Sequence, residues 1–265
     1  MKVYISADME GVTGVADWRE TEADKPGYRE CQEQMQAEVS AACEAAVAAG
    51  ATEIVVQDAH GSARNLAGSK LPESVRLIRG WSSHPFMMVQ ELDGSFQGVA
   101  FIGYHSRAGV GSSPLAHTMT GKFVNIKIND RYASEFLIHS YAAAFLKVPS
   151  LFVSGDKGIC DEAVQLIPGI ETVAVKEGIG DSTVNIHPDL AASRIRSGVE
   201  KAFRSDPAGC LLPLPNHFKV EIVYKEHINA YLLGFYPGAK QVAPTTVQFE
   251  NQNYFEVLRF LLFAP

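Results

Sequence analysis

The sequence predicts an α/β fold, a layered α/β/α core on a mainly parallel (mixed) sheet with a smaller C-terminal α+β portion. Three observations predict it. Short apolar runs at 3–7, 53–57, 98–103 and 150–154 recur at long intervals, as buried parallel strands do. Several of the intervals between them carry amphipathic segments long enough to be crossover helices. Two stretches, 123–128 and 219–224, instead alternate apolar and polar residues, the mark of half-exposed antiparallel strands.

Taken in order, the first strand runs straight into Asp8. A helix over 28–49 follows, with Met35, Val39, Ala42, Ala46 and Ala49 on one face and Gly50 at the C′ position. The strand at 53–57 ends at Asp58-Ala59-His60, and 75–78 is a third, short strand. The strand at 98–103 ends at Tyr104-His105, and the Gly- and Ser-rich residues 106–114 form a loop. Asn129-Asp130 makes a turn after 123–128. Ser134 then caps a helix to about 147, with Leu137, Tyr141, Ala144 and Phe145 facing inward. Strands are expected at 150–154 and 172–176, with Gly155-Asp156-Lys157 a strand-end turn. A helix at 188–204, a strand at 219–224, a helix at 227–233, a strand at 246–250 and a last helix from 254 complete the chain. Glycines and polar residues at 178–188 mark a weak boundary. Residues 1–180 are expected to form the metal-binding catalytic core, and 181–265 a smaller portion packed on it rather than an independent domain.

Composition narrows the function. The 265 residues are 46% hydrophobic and 20% charged, ordinary for a globular protein. A net charge of −7 without a basic cluster makes nucleic acid an unexpected partner. The four cysteines, Cys31, Cys43, Cys160 and Cys210, form no Cys-x-x-Cys pair, which argues against both a disulfide framework and a thiolate zinc site. Acidic residues interrupt the N-terminal stretch too early for a signal peptide, and no apolar run is long enough for a membrane span. The cytoplasm is therefore the default location.

The chemistry lies at the strand ends. Strand one delivers Asp8 and Glu10, strand two Asp58 and His60, and the fourth strand His105. Side chains at the carboxyl ends of parallel strands converge at one crevice. Asp8 and Glu10, two apart, point to the same side of an extended backbone. Carboxylates mixed with imidazoles suit zinc, manganese or a similar divalent ion. Each residue alone has a structural reading: Asp8 as a turn former, His60 and His105 as hydrogen-bonded fixtures. The weight rests on one pattern repeating at three strand ends. Glu135 opens the helix after the turn, where a carboxylate also complements the helix dipole. His139 lies one turn on, and spacing alone does not choose between them. His117, beyond the Gly/Ser loop, is either a surface residue or a general acid/base beside the site.

These residues carry a family resemblance. Ser6-Ala-Asp8-Met-Glu10-Gly11 is similar to the Ser-x-Asp-x-Glu-Gly signature of the zinc-dependent D-aminopeptidase family (DppA type). Asp58-Ala-His60, Gly103-Tyr-His105, Ala116-His117-Thr118 and Ile128-Asn-Asp130 through Glu135 resemble its later blocks, in the same order. The resemblance implies two zinc ions per subunit, bridged by Asp8. Glu10 and His60 would complete one ion's protein shell, and His105 and Glu135 the other's, with His117 as the catalytic residue. It implies a homo-oligomer, a decamer of two five-membered rings, and a short-peptide substrate with a D-residue at its N-terminus. Ser106, where the family commonly has alanine, and the loop 109–114 depart from the pattern. The expected chemistry is amide hydrolysis by water activated at a two-metal site. The alternatives are another two-metal hydrolase, acting on a non-peptide amide or a phosphoester, and a non-catalytic metal-binding assembly protein. Only Arg64 and Arg107 stand near enough in sequence to hold a phosphate.

Overall fold

The structure, a computed structural model, describes residues 1–265. The chain runs β1 (Lys2–Ala7), α1 (Tyr28–Ala48), β2 (Glu53–Asp58), β3 (Val75–Ile78), β4 (Gly98–Tyr104), β5 (Phe123–Ile128), β6 (Arg131–Tyr132) and α2 (Glu135–Phe145). It continues through β7 (Ser150–Asp156), α3 (Lys157–Leu166), β8 (Glu171–Ile179), β9 (Ser182–Asn185), α4 (Pro188–Arg204) and β10 (Phe218–Tyr224). The last elements are α5 (His227–Leu233), β11 (Lys240–Ala243), β12 (Thr246–Asn251) and α6 (Tyr254–Leu262).

The main sheet has seven strands in the order β3-β2-β1-β4-β7-β8-β9. The first six are parallel, and β9 turns back antiparallel on β8. Every residue of β4 and β7 is buried, which is why these strands read as unbroken apolar runs. A second, antiparallel sheet has the order β11-β12-β10-β5-β6. It joins two strands from the middle of the chain to three from the C-terminal portion. Helix α4 packs on α1 over the main sheet, tying that portion down a second time.

Local sequence accounts for most boundaries. Met35, Val39, Ala42 and Ala46 of α1 are fully buried, and Gly50 takes the left-handed C′ conformation at φ +98°. Asn129 and Asp130 are both left-handed, as a two-residue hairpin between β5 and β6 requires. The Ser134 hydroxyl accepts from Leu137 N at 3.0 Å and caps α2.

Three expectations are corrected. Gly155-Asp156-Lys157 is not a turn between strands: Asp156 is the N-cap of α3, its carboxylate accepting from Ile159 N at 2.9 Å. The glycines and polar residues at 178–185 belong to the β8–β9 hairpin, and His187 and Pro188 open α4. Helix α2 stops at Phe145, which is exposed because the chain turns away through a left-handed Lys147.

The arrangement fixes where a site can form. From β1 the chain moves outward through β2 to β3, then returns to lay β4 on the other side of β1 and proceeds through β7 to β8. The order reverses between β1 and β4, and the crevice beyond their carboxyl ends is a topological switch point. No helix is long and apolar enough to cross a membrane.

Candidate metal centre

Asp8 and Glu10 leave the end of β1, His60 the end of β2 and His105 the end of β4, so the switch point gathers all four. Close approach of the β1 and β4 ends depends on two glycines. A side chain at Gly11 would meet the Tyr104 carbonyl oxygen at 1.8 Å, and one at Gly103, left-handed at φ +70°, would meet the Asp8 carbonyl oxygen at 2.3 Å. Glu135 arrives in the first turn of α2, and His117 from the loop before β5.

The structure brings together the six residues singled out from the sequence. The ligand atoms of Asp8, Glu10 and His105 lie within 4.8 Å of one another, as do those of His105, His117 and Glu135. His60 Nδ1 stands 3.3 Å from Asp8 Oδ1 and 2.8 Å from Glu10 Oε2. His105 Nε2 stands 3.4 Å from Asp8 Oδ2 and 3.4 Å from Glu135 Oε2. The two oxygens of Asp8 thus face different imidazoles, one paired with Glu10 and the other with Glu135. His117 Nε2 lies 3.5 Å from Glu135 Oε1.

The hydrogen bonds fit this donor set to a divalent cation. Each imidazole gives its outer N–H to a backbone carbonyl: His60 Nε2 to Thr21 O at 2.8 Å, His105 Nδ1 to Ser106 O at 3.0 Å, His117 Nδ1 to Leu115 O at 2.9 Å. A carbonyl only accepts, so these bonds leave the three inner nitrogens free for a metal or a proton, the tautomer arrangement typical of metal-bound histidines. Asp8 Oδ2 and His105 Nε2 are buried with no hydrogen-bond partner. Two ligands of one tetrahedral zinc stand roughly 3.4 Å apart, close to the separations seen here.

Electrostatics point the same way. Burial, then the charge of Glu10, pushes Asp8 up to about 8. Burial works to lower His105, but Glu135 and Asp8 outweigh it and raise it to about 10. Burial likewise opposes the charged form of His60, yet Glu10 and Asp8 carry it well above its ordinary value. Glu10 and Glu135, both held below their ordinary values against the effect of burial, chiefly by His60 and His105, therefore keep protons on the imidazoles in place of a cation, while Asp8 carries a proton of its own up to about pH 8. Loading with zinc near pH 8 should release about two protons per subunit, and affinity should climb as pH rises because fewer protons compete for the imidazoles. A zinc titration in weakly buffered indicator solution measures this. Loading with no proton release would contradict the assignment of His60 and His105.

The site opens into a cavity of about 390 Å³. Its floor holds Asp8, Glu10, His60, His117 and Glu135, and its walls include Trp81, His84, Met87, Met88 and Leu262. No lysine or arginine lines it. Arg107 instead lies over the Tyr132 ring.

Other sequence candidates settle outside the site. Asp58 turns inward and accepts from Asn65 N, Leu66 N and Asn65 Nδ2, holding the loop that carries His60. His139 donates to Glu135 O at 2.7 Å and is wholly buried, which lowers it to about 4. Three contributors escaped the sequence reading. Trp18 packs edge-on against the His117 ring at 5.1 Å between centroids, and the His105 ring stacks on the same His117 ring at 4.3 Å and an interplanar angle of 7°. Trp18 and Thr21 belong to a 3-10 turn whose capping box, Asp17 with Glu20, was a readable signal. The cavity wall at 81–90 has no periodicity to betray it; Ser83 and Met87 there are left-handed. Lys176, buried on β8, donates to the carbonyls of Glu10 and Val15 and holds the loop after β1; burial lowers it to about 8.

An α/β sheet with carboxylates and imidazoles gathered at its switch point belongs to the class of metallohydrolases. The D-aminopeptidase family model, that of peptidase family M55, matches residues 1–263, and the chain belongs to this family. It is 33% identical over 267 residues to a D-aminopeptidase of Bacillus subtilis (strain 168), covering 99% of this chain and 96% of that one. The solved structure of the Zn-dependent D-aminopeptidase DppA from Bacillus subtilis, a self-compartmentalizing protease, superposes with a TM-score of 0.92 at 31% identity. That match covers all of this chain and 96% of the other.

Proposed function

We propose that the protein is a zinc-dependent aminopeptidase that removes an N-terminal D-residue from short peptides. In this reading Asp8, Glu10, His60, His105 and Glu135 hold two zinc ions and His117 is the catalytic residue. The observation that carries it is the set of three imidazoles, each anchored through one nitrogen to a carbonyl with the other turned toward shared carboxylates. Zinc bound there supplies Lewis-acid polarisation of the scissile carbonyl and lowers the pKa of water from 15.7 towards about 7.

The chain's own residues do the rest. The acidic floor draws in the substrate's ammonium group. Trp81, Met87, Met88 and Leu262 offer an apolar wall to its side chains. His117 is held in plane by His105 and Trp18, so its Nε2 faces the reacting centre. It takes a proton from the attacking water or gives one to the leaving amine. The absence of a cationic side chain from the lining favours an amide over a phosphoester.

The deciding experiment is hydrolysis of D-Ala-D-Ala and L-Ala-L-Ala before chelation, after it and after zinc return. Zinc-restored cleavage confined to the D-dipeptide is expected. Zinc-restored cleavage of the L-dipeptide would remove the stereochemical part, and no cleavage with zinc bound would remove the peptidase reading.

We also propose that copies of the chain associate into a closed homo-oligomer, a decamer of two five-membered rings, through the surface around α5 and the C-terminus. Tyr231, Leu232, Phe235 and Phe263 expose 53%, 61%, 71% and 63% of their surface there, a concentration unusual for a free face. The groove between Leu232 and Phe263 shares Pro265 with the substrate cavity, so a copy seated on it would wall the cavity mouth. Light scattering on Phe235→Glu should show smaller particles than the parent; an unchanged mass would place the contact elsewhere. Four buried, unpaired cysteines suit a reducing compartment, and we place the protein in the cytoplasm.

A further inference from the structure

We infer that Asp156 is a positioning residue for the metal centre: through Ser106 it fixes the orientation of the His105 imidazole and the path of the loop that leads to His117. The inference rests on the reading of His105 as a metal ligand.

Asp156 is wholly buried at the end of β7, and its carboxylate hydrogen bonds go to Ser106 and Ile159. Its Oδ2 accepts from Ser106 N at 2.7 Å, and its Oδ1 accepts from the Ser106 hydroxyl at 2.5 Å. Ser106 is therefore gripped at both backbone and side chain by one carboxylate. The carbonyl of the same residue receives the Nδ1–H of His105 at 3.0 Å. That bond decides which nitrogen of His105 carries hydrogen, and it leaves Nε2 unprotonated toward Asp8 and Glu135 when a cation is present. Outer-shell partners of this kind orient a ligand and commonly govern metal affinity about 10–100-fold.

The grip extends to the neighbouring loop. Ser106 Oγ lies 2.8 Å from Ser112 Oγ, and Ser112 O accepts from Gly178 N at 3.1 Å. Asp156, Ser106 and Ser112 thus form a chain of contacts from the β7 end into the 109–114 segment. The crossing is tight. A Cβ at Gly158 would come within 2.3 Å of both serine hydroxyls, so only glycine leaves room for the pair.

Asp156 has a second task as the N-cap of α3, and the atoms separate the two. Oδ1 serves Ile159 N and the Ser106 hydroxyl, while Oδ2 serves Ser106 N. Asparagine caps a helix about as well as aspartate. With its oxygen at the Oδ1 position, its amide would set N–H against N–H at Ser106 and abolish that one bond.

The test compares Asp156→Asn, Gly158→Ala and Ser106→Ala with the parent oligomer. Zinc affinity is read by competition with a chromophoric chelator, ions per subunit by mass spectrometry, and the metal-free melting temperature separately. The parent should hold two ions. D156N should weaken one of the two about 10–100-fold, leave the other unchanged and keep the metal-free melting temperature. G158A, which displaces Ser106 without altering Asp156, should weaken the same ion and decides the matter if D156N does not fold. S106A, which keeps the backbone bond, should stay within about threefold of the parent, well short of that range. Parent affinity for both ions in D156N and G158A would overturn the inference while the metal centre stands. Equal weakening of both ions with a lowered metal-free melting temperature would overturn it by making Asp156 a purely structural cap. A parent that binds no zinc would remove the metal reading and this inference with it.

Discussion

Asp8→Asn is expected to lower kcat/KM on a short D-peptide roughly 10³-fold or more, about 4 kcal/mol of barrier. Asp8 is the one residue whose two oxygens face both halves of the site, His60 at 3.3 Å and His105 at 3.4 Å. Asparagine keeps the shape but offers a neutral oxygen to one half and an N–H to the other. Ion content should therefore fall below two per subunit, which mass spectrometry of the native protein reads. Stability should move in the opposite direction. Burial and Glu10 raise the Asp8 carboxyl to about 8 in the metal-free fold, far above its value in the unfolded chain. The folded state then binds the extra proton, so stability is lost as pH rises from about 4 to about 8, and the penalty is complete above that window. The metal-free variant, free of this penalty, should melt higher than the metal-free parent at pH 8 and no differently near pH 3. Full activity in D8N, or loss of stability at pH 8, would refute the account.

His117→Ala is expected to lower kcat about 10²–10⁴-fold with both ions retained. The ring touches the site without completing either half: its Nε2 is 3.5 Å from Glu135 Oε1, and its N–H is tied to Leu115 O. If it moves protons in the reaction, kcat and kcat/KM should fall together, since the interaction is made only at the transition state. Added imidazole should restore part of the rate. A variant that loses an ion would make His117 a ligand, and one that keeps its rate would leave the site without a role for it.

The site was more legible in the sequence than its surroundings, for a physical reason. A buried parallel strand is a run of apolar residues, so an aspartate or histidine directly beyond it stands out, and β1, β2 and β4 each end that way. Packing separates two residues that spacing does not: Glu135 turns into the cavity while His139, on the same helix, turns into the core. Asp58 shows the converse. It sits at a strand end as conspicuously as Asp8, but its oxygens are spent on Asn65 and Leu66. Helix α3 was hidden because Gly155 and Asp156 read as a turn, and an N-cap looks the same from sequence until the helix beyond it is seen. Lys176 and the wall at 81–90 were hidden more deeply. A buried lysine that serves two carbonyls has no local signature, and an irregular wall has no period.

The proposed donor atoms come from Asp8, Glu10, His60, His105 and Glu135, on four segments that meet only when β1, β2, β4 and α2 are all in place. In the denatured ensemble only Asp8 and Glu10 remain neighbours, two carboxylates with no imidazole beside them. Capture of the ions is then thermodynamically linked to folding: whatever free energy the centre gains from zinc is added to the native state and withheld from the unfolded one. At a free concentration one hundred times the dissociation constant, a single site contributes about 2.7 kcal/mol, a sizeable part of the margin on which an ordinary domain survives. Scarcity of the ion would thus reach the protein twice, as lost turnover and as a larger population of open chains exposed to degradation.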